Sequence, residues 1–494
     1  MNFTSGKFYK VALLLAAAAL LVMSSLCQRA LNRQRADPAL GLTRVTPLEN
    51  APPVLAFTTV ALGGFRGLIA NALWSRAMDL QEQDKYFEKV QLADWITKLE
   101  PHFTQVWLVQ AWDMAYNISV KFSDHADRWR WVQRGIELLR DEGLRYNPGE
   151  ALMYRELAWF FQHKMGQSLD DAHNYYKMAW AGEMTRALGN SLTNLAELLN
   201  PQSDELRQRA ERLREKFKLN PAIMLEVDRL YGPLDWRLPE THAMYWAVAG
   251  LAVVRKTDAE SQKEITALRR VIYQSMHAAV LRGRIISQRA DGSVRIGPNL
   301  DLVAKTNEAY ERMMRDDQEE AFKILAGHRN FLREAVYLLY TNNRKAEAGR
   351  RFQQLKEQYP EWISPPGLTL DEFVIQRVMA AVVDLNPNRI IPLIGGYLEN
   401  GLIQQALGED ENAANYTQMA NTLWVRYQES IRRQEKRIGL PPLAEMRQIV
   451  LEGLLDAQRG LKPELALRLR QLEGLPAPTN APPGLVPEPK AQKP

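Results

Sequence analysis

Residues 151–179 read ALMYRELAWFFQHKMGQSLDDAHNYYKMA. Tyr154, Leu157, Ala158 and Phe161 recur at three- and four-residue spacing, the period of one helix face. After Gly166 the pattern resumes with Ala172, Tyr176 and Ala179. Small residues at 158, 172 and 179 let two antiparallel helices approach closely. The large Tyr154 and Phe161 fill the gap to the next pair.

The scheme repeats on either side. Upstream, Trp107 is followed four residues later by Ala111, and Pro148 closes that unit late, after an inserted turn at FSDHAD (122–127). Ala70–Phe103 is a unit of 34 residues with Ala77 in its first helix, Tyr86 after the turn and Pro101 near its end. It departs from the pattern at Arg76, where an apolar residue is usual, and at Lys89, where a small one is expected. Downstream, Arg329–Pro360 places Leu332, Ala335, Val336 and Leu339 before Ala348, Phe352, Leu355 and Pro360. Proline ends such a helix because it lacks a donor and clashes with the preceding turn. Weaker echoes are Trp246-Ala249-Gly250-Val253 and Gly408-Ala413-Ala420.

Self-similarity at this period resembles the tetratricopeptide repeat family. The resemblance is closest over 70–180 and 329–360. It implies an all-α fold, a TPR-like solenoid of degenerate helix pairs that binds a protein on its concave face. Carried over, the inward positions are Asn71, Trp74 and Met78, then Leu108, Trp112 and Tyr116, then Arg155, Trp159 and His163. Members of the family that clamp a terminal carboxylate use Lys and Asn there. The positions here are largely aromatic, which favours an apolar or extended segment stacked on Trp112 and Trp159. The groove expected to bind the partner is therefore Trp74, Trp112, Tyr116, Arg155 and Trp159. The competing expectation is that these aromatics are covered by neighbouring helices or by the segment Val54–Phe65. A non-repeating α-bundle is the alternative fold.

Ahead of the repeats, Val11–Gln28 is an uncharged run of 18 residues. A helix crosses a bilayer with roughly 17–25 residues. The run reads as an uncleaved transmembrane anchor. A cleaved secretory signal, a lipoprotein signal using Cys27 and a buried soluble helix are the other readings. A tail of ten residues before a first apolar helix tends to stay inside, which puts the bulk of the chain outside the cytoplasm, in the periplasm of a bacterial-type cell envelope.

The domain reading follows: tail 1–10, anchor 11–28, linker 29–66, helical repeats 67–363, a further helical region 364–474 and a Pro-rich tail 475–494. The break at 364 is Ser364-Pro365-Pro366-Gly367. Asp291-Gly292, between two short β-prone runs, predicts a small hairpin inserted at about 284–298.

Composition restricts the chemistry. Of 494 residues, 24% are charged and 46% apolar, as in folded soluble domains. The net charge of +5 over this length is no argument for nucleic acid. One cysteine, Cys27, makes neither an intramolecular disulfide nor a zinc cluster, and the seven histidines show no HxxxH or HExxH pair. There is no G-x-S-x-G, P-loop or G-x-G-x-x-G. Gly63-Gly64-Phe65-Arg66-Gly67 reads as a hinge before the first repeat helix. No catalytic residue, metal site or cofactor is expected.

The stretch densest in functional-looking residues is Leu230–His242, with Asp235, Glu240 and His242. As an acid–base set it would make the chain an envelope enzyme or enzyme subunit. As structure, Pro239-Glu240-Thr241-His242 is a helix entry, and Tyr231 and Trp236 pack an ordered loop. The favoured expectation is a membrane-anchored scaffold or assembly factor that binds a protein partner.

Overall fold

The computed structural model describes residues 3–35, 66–189, 195–254, 259–288, 294–318, 321–380, 387–431 and 439–476. Of the expected linker 29–66, residues 36–65, including Val54–Phe65 and the Gly63-Gly64 pair, lie outside these residues. So do Asp291-Gly292 and the tail from 477 onward. The fold is all-α with one small two-stranded sheet.

The chain divides into two units: Met1–Trp74 with Lys98–Glu100, and Ser75–Thr97 with Pro101–Pro494. The smaller unit carries α1 (Phe3–Arg35) and the start of α2 (Arg66–Glu82). Helix α1 contains the run Val11–Gln28 and continues past it to Arg35. Leu15, Leu20, Leu21, Val22, Met23 and Leu26 on it are each more than half exposed. Among the described residues no helix is long and apolar enough to cross a membrane.

In the larger unit, α2 is followed by α3 (Tyr86–Leu99) and α4 (Thr104–Trp112). Helix α4 runs on through a π turn, Asp113–Ile118, and a 3-10 turn, Ser119–Lys121. Next is α5 (His125–Glu137), capped by the Asp124 carboxylate on the Asp127 N–H and continued by a second π turn, Leu138–Gly143. Helix α6 (Ala151–Trp159) continues into a third, Phe160–Met165. Then come α7 (His173–Leu188), α8 (Leu195–Leu199), α9 (Asp204–Glu215), α10 (Pro221–Tyr231), α11 (Pro239–Val253) and α12 (Ala259–Arg282). Strands β1 (Arg284–Gln288) and β2 (Val294–Gly297) pair antiparallel with Ile285 opposite Ile296. The remainder is α13 (Val303–Asp316), α14 (Ala321–Thr341), α15 (Lys345–Gln358), α16 (Leu370–Ala380), α17 (Pro387–Leu407), α18 (Asp410–Ile431), α19 (Leu443–Leu454) and α20 (Pro463–Leu472).

Neighbours in sequence pair as helical hairpins: α11 on α12, α14 on α15, α17 on α18. Ala111, Ala158, Ala172 and Ala348 are fully buried, as small contact residues should be. Gly135 on α5 meets the α4 backbone, where a Cβ would lie 2.8 Å from the Ala111 carbonyl oxygen. The partner of α6 is less obvious. It packs on α11, which is remote in sequence, and a Cβ at Gly250 would lie 2.9 Å from the Tyr154 Cβ.

Lys89, the departure from the repeat pattern, is buried and paired with buried Asp113, and it donates to Gln81 Oε1 at 2.6 Å. A small residue is replaced by an internal ion pair. One apolar core extends from Trp107 to Met446, and a smaller cluster gathers Leu402, Ile403, Leu451, Leu461 and Leu469.

Candidate functional site

Helix period brings two aromatic pairs together. Trp112 stacks on Tyr116, four residues on, with ring centroids 4.1 Å apart. Trp159 stacks on His163 at 4.5 Å. The Tyr116 hydroxyl hydrogen-bonds His163 Nδ1 at 3.0 Å and joins the pairs into one strip across two helical rods. Trp112 is 39% exposed, while Tyr116 and Trp159 are half-buried. Burial raises the Tyr116 hydroxyl and lowers His163, which Lys164 lowers further.

Arg155, on the same helix as Trp159, is not a free anchor. Its guanidinium donates to Glu264 Oε2 at 2.8 Å and reaches Glu156 at 3.4 Å, tying α6 to α12. Burial raises both glutamates, and Arg155 opposes it. Trp74 is half-buried on α2 and belongs to the smaller unit.

Beside the strip lies a pocket of about 370 Å³. Tyr116 and Val120 line it from the α4 rod and Arg128 from α5. His163 and Lys164 come from the π turn after α6, and Leu169, Asp170 and Asp171 from the loop before α7. A π turn holds an extra residue and is common at functional sites. Here two of them, packed on each other, supply Tyr116, His163 and Lys164.

The pocket's charges are organised around Asp170. Its Oδ1 accepts Arg128 Nη2 at 2.7 Å and the Ala172 N–H at 2.9 Å. Its Oδ2 accepts Lys164 Nζ at 2.5 Å and the Tyr176 hydroxyl at 3.2 Å. Arg128 Nη1 pairs with Asp171 at 2.7 Å. Burial alone would raise Asp170. The Lys164 and Ala172 hydrogen bonds and the two cations outweigh it, so the carboxyl stays below its usual range. Lys164 is lowered by burial against the pull of Asp170.

None of Arg128, Lys164, Asp170 or Asp171 stood out in the sequence. The available signal was Lys164 itself, which continues the apolar stripe Leu157–Phe161 at a phase where a charge is out of place.

The loop 231–242 has a different character. Asp235 is buried and accepts Arg237 Nε at 2.8 Å, Arg237 Nη2 at 2.7 Å and the Ile285 N–H at 3.1 Å. Buried Glu240 accepts Arg282 Nε at 2.7 Å. His242, fully buried, donates from Nε2 to the Trp236 carbonyl at 2.9 Å, and burial lowers it to about 4. Each group is held by its own structural partner, and α11 starts at Pro239 as the helix-entry reading requires. Among the described residues no three His, Cys, Asp or Glu side chains form a potential metal cluster.

No protein-family model, no curated protein and no solved structure matches the chain.

Proposed function

We propose that this protein is a membrane-anchored scaffold or assembly factor of the cell envelope. Its helix pairs form a TPR-like solenoid, and a protein partner binds along the strip Trp112–Tyr116–His163–Trp159. The observation that carries the reading is the hydrogen-bonded junction of two stacked aromatic pairs with an exposed tryptophan at one end. Large aromatics are the usual anchors of interfaces, because they bury much area and lose little rotamer entropy. Arg155 supports the strip by fixing α6 rather than by touching the partner. Support for the anchor is the uncharged run within the unbroken helix α1. The enzyme reading centred on 231–242 is not favoured, since its polar groups are engaged in structural contacts.

The test is the double substitution Trp112→Ala/Trp159→Ala in detergent-solubilised protein. Intact circular dichroism with loss of the partner captured by the wild type supports the strip. Each lost anchor should cost about 2 kcal/mol, roughly thirtyfold in affinity. Undiminished capture removes the proposal. Carbonate extraction of membranes tests the anchor, and release of the chain into the soluble fraction argues against it.

A further inference from the structure

We propose that the partner segment bound on the strip presents a lysine or arginine side chain, which lies over the Trp159 indole and pairs with the Glu156 carboxylate. This rests on the strip as a protein-binding surface and names the chemistry of what binds there. Glu156 stands three residues before Trp159 and seven before His163, so the three share one helix face. The Glu156 side chain is 22% exposed. Among the described residues it accepts one hydrogen bond, a long one from Arg155 Nη2 at 3.4 Å, while the same guanidinium holds Glu264 at 2.8 Å. Two carboxylates share one cation, and Glu156 is the one left short. After burial, the Glu156 charge does most to raise the Tyr116 hydroxyl, so the carboxylate acts on the junction of the two aromatic pairs.

A segment that covers Trp159 also covers Glu156, one helical turn away. An apolar cover alone would take this poorly paired carboxylate out of water, which is costly, and an acidic one would repel it. A cation resolves both, since an indole face attracts it and the carboxylate beside the ring adds an ion pair. The chain supplies no such cation itself. Lys164 Nζ, over the Tyr116 ring at 4.9 Å, is held by Asp170, and among the described residues no Lys or Arg lies over Trp112 or Trp159. Trp362 shows the contrast: it is 46% exposed and Arg329 of the same chain covers its ring at 3.7 Å. Trp112, 39% exposed, takes an apolar residue beside the basic one.

The experiment titrates three peptides into the full chain in non-ionic detergent at neutral pH, read by calorimetry. They are acetyl-Ala-Leu-Lys-Leu-Ala-amide and its counterparts with Gln or Glu in place of Lys. The lysine peptide should bind about tenfold more tightly than the glutamine peptide, and the glutamate peptide more weakly than either. Raising the salt from about 50 to 500 mM should weaken the lysine peptide and leave the glutamine peptide unchanged. Glu156→Gln should weaken the lysine peptide about fivefold without affecting the glutamine peptide. Glu156→Lys should reverse the order of the lysine and glutamate peptides. If that variant unfolds, Glu156→Gln and the salt dependence of the wild type still decide.

Equal affinity for the lysine and glutamine peptides overturns the inference and leaves the strip standing. A lysine preference that persists in Glu156→Gln, or lysine-peptide binding that persists in Trp112→Ala/Trp159→Ala, overturns it too, because the cation is then recognised elsewhere. Silence of all three peptides up to about 10 mM counts against the strip itself and removes the inference with it.

Discussion

Gly135 and Ala111 meet backbone to backbone: a Cβ on Gly135 would lie 2.8 Å from the Ala111 carbonyl oxygen and 3.4 Å from the Ala115 Cβ. The α4–α5 contact is set by the absence of a side chain at one position. Because the obstacle is backbone, no rotamer change relieves it. Gly135→Ala should therefore destabilise the protein by about 1–3 kcal/mol, although alanine is the better helix former. A urea titration reads the shift, and an unchanged midpoint would show that the two helices can move apart freely.

Lys89 and Asp113 form a buried pair whose halves depend on each other. Lys89→Ala leaves the Asp113 carboxylate without its cation and should cost about 3–5 kcal/mol. Replacing both by apolar residues, Lys89→Met with Asp113→Leu, should cost much less, because no lone charge remains inside. Thermal melts of the single and double variants check this. A double variant as unstable as the single one would mean that the pair does more than neutralise itself.

Two histidines give the fold a pH limit. His242 and His328 are both lowered to about 4, chiefly by burial. His328 donates from Nε2 to Asn307 Oδ1 and accepts the Tyr359 hydroxyl at Nδ1, which fits the neutral ring. Among the described residues His242 has no partner for a proton on Nδ1. Their folded values lie below the unfolded value of about 6.5, so the unfolded chain binds more protons in between. The contribution is complete above about pH 6.5 and is lost as pH falls towards 4, by about 3 kcal/mol per site. His328→Gln should flatten the loss of stability between pH 7 and 5, measured by denaturant midpoints. A slope as steep as that of the wild type counts against this account.

The two tryptophans of α4 should behave differently. Trp107 is 2% exposed and its indole N–H donates to the Pro101 carbonyl at 2.9 Å. Trp107→Ala should cost about 3–5 kcal/mol. Trp112, 39% exposed, should cost about 1 kcal/mol when truncated. Similar losses at the two positions would place Trp112 in the core and end its role as a surface anchor.

Much of this arrangement can be read in the residues alone. The three- and four-residue spacing around Tyr154–Phe161 and Leu332–Leu339 specified helices, and both segments are helical. Of the expected groove, Trp112 and Tyr116 stack because a spacing of four is a local property of a helix, whereas Trp159 joins them only through the Tyr116–His163 contact between two helical rods. Arg155 shares that spacing, yet its role was not legible: Glu264, which holds it, lies 109 residues away.

By itself the sequence determined the helical character of the chain, the short hairpin and the shared helix face of Trp112 and Tyr116. These depend on contacts within a few residues, and periodicity records such contacts directly. Tertiary structure alone decided that α6 packs on α11, that Lys89 is an internal cation, and that Arg128, Lys164 and Asp170 converge on one pocket. Those outcomes depend on which helix faces are juxtaposed across long stretches of chain. A side chain's solvation and partners are set by that juxtaposition, so a lysine on an apolar stripe has no definite role until the facing helix supplies its carboxylate.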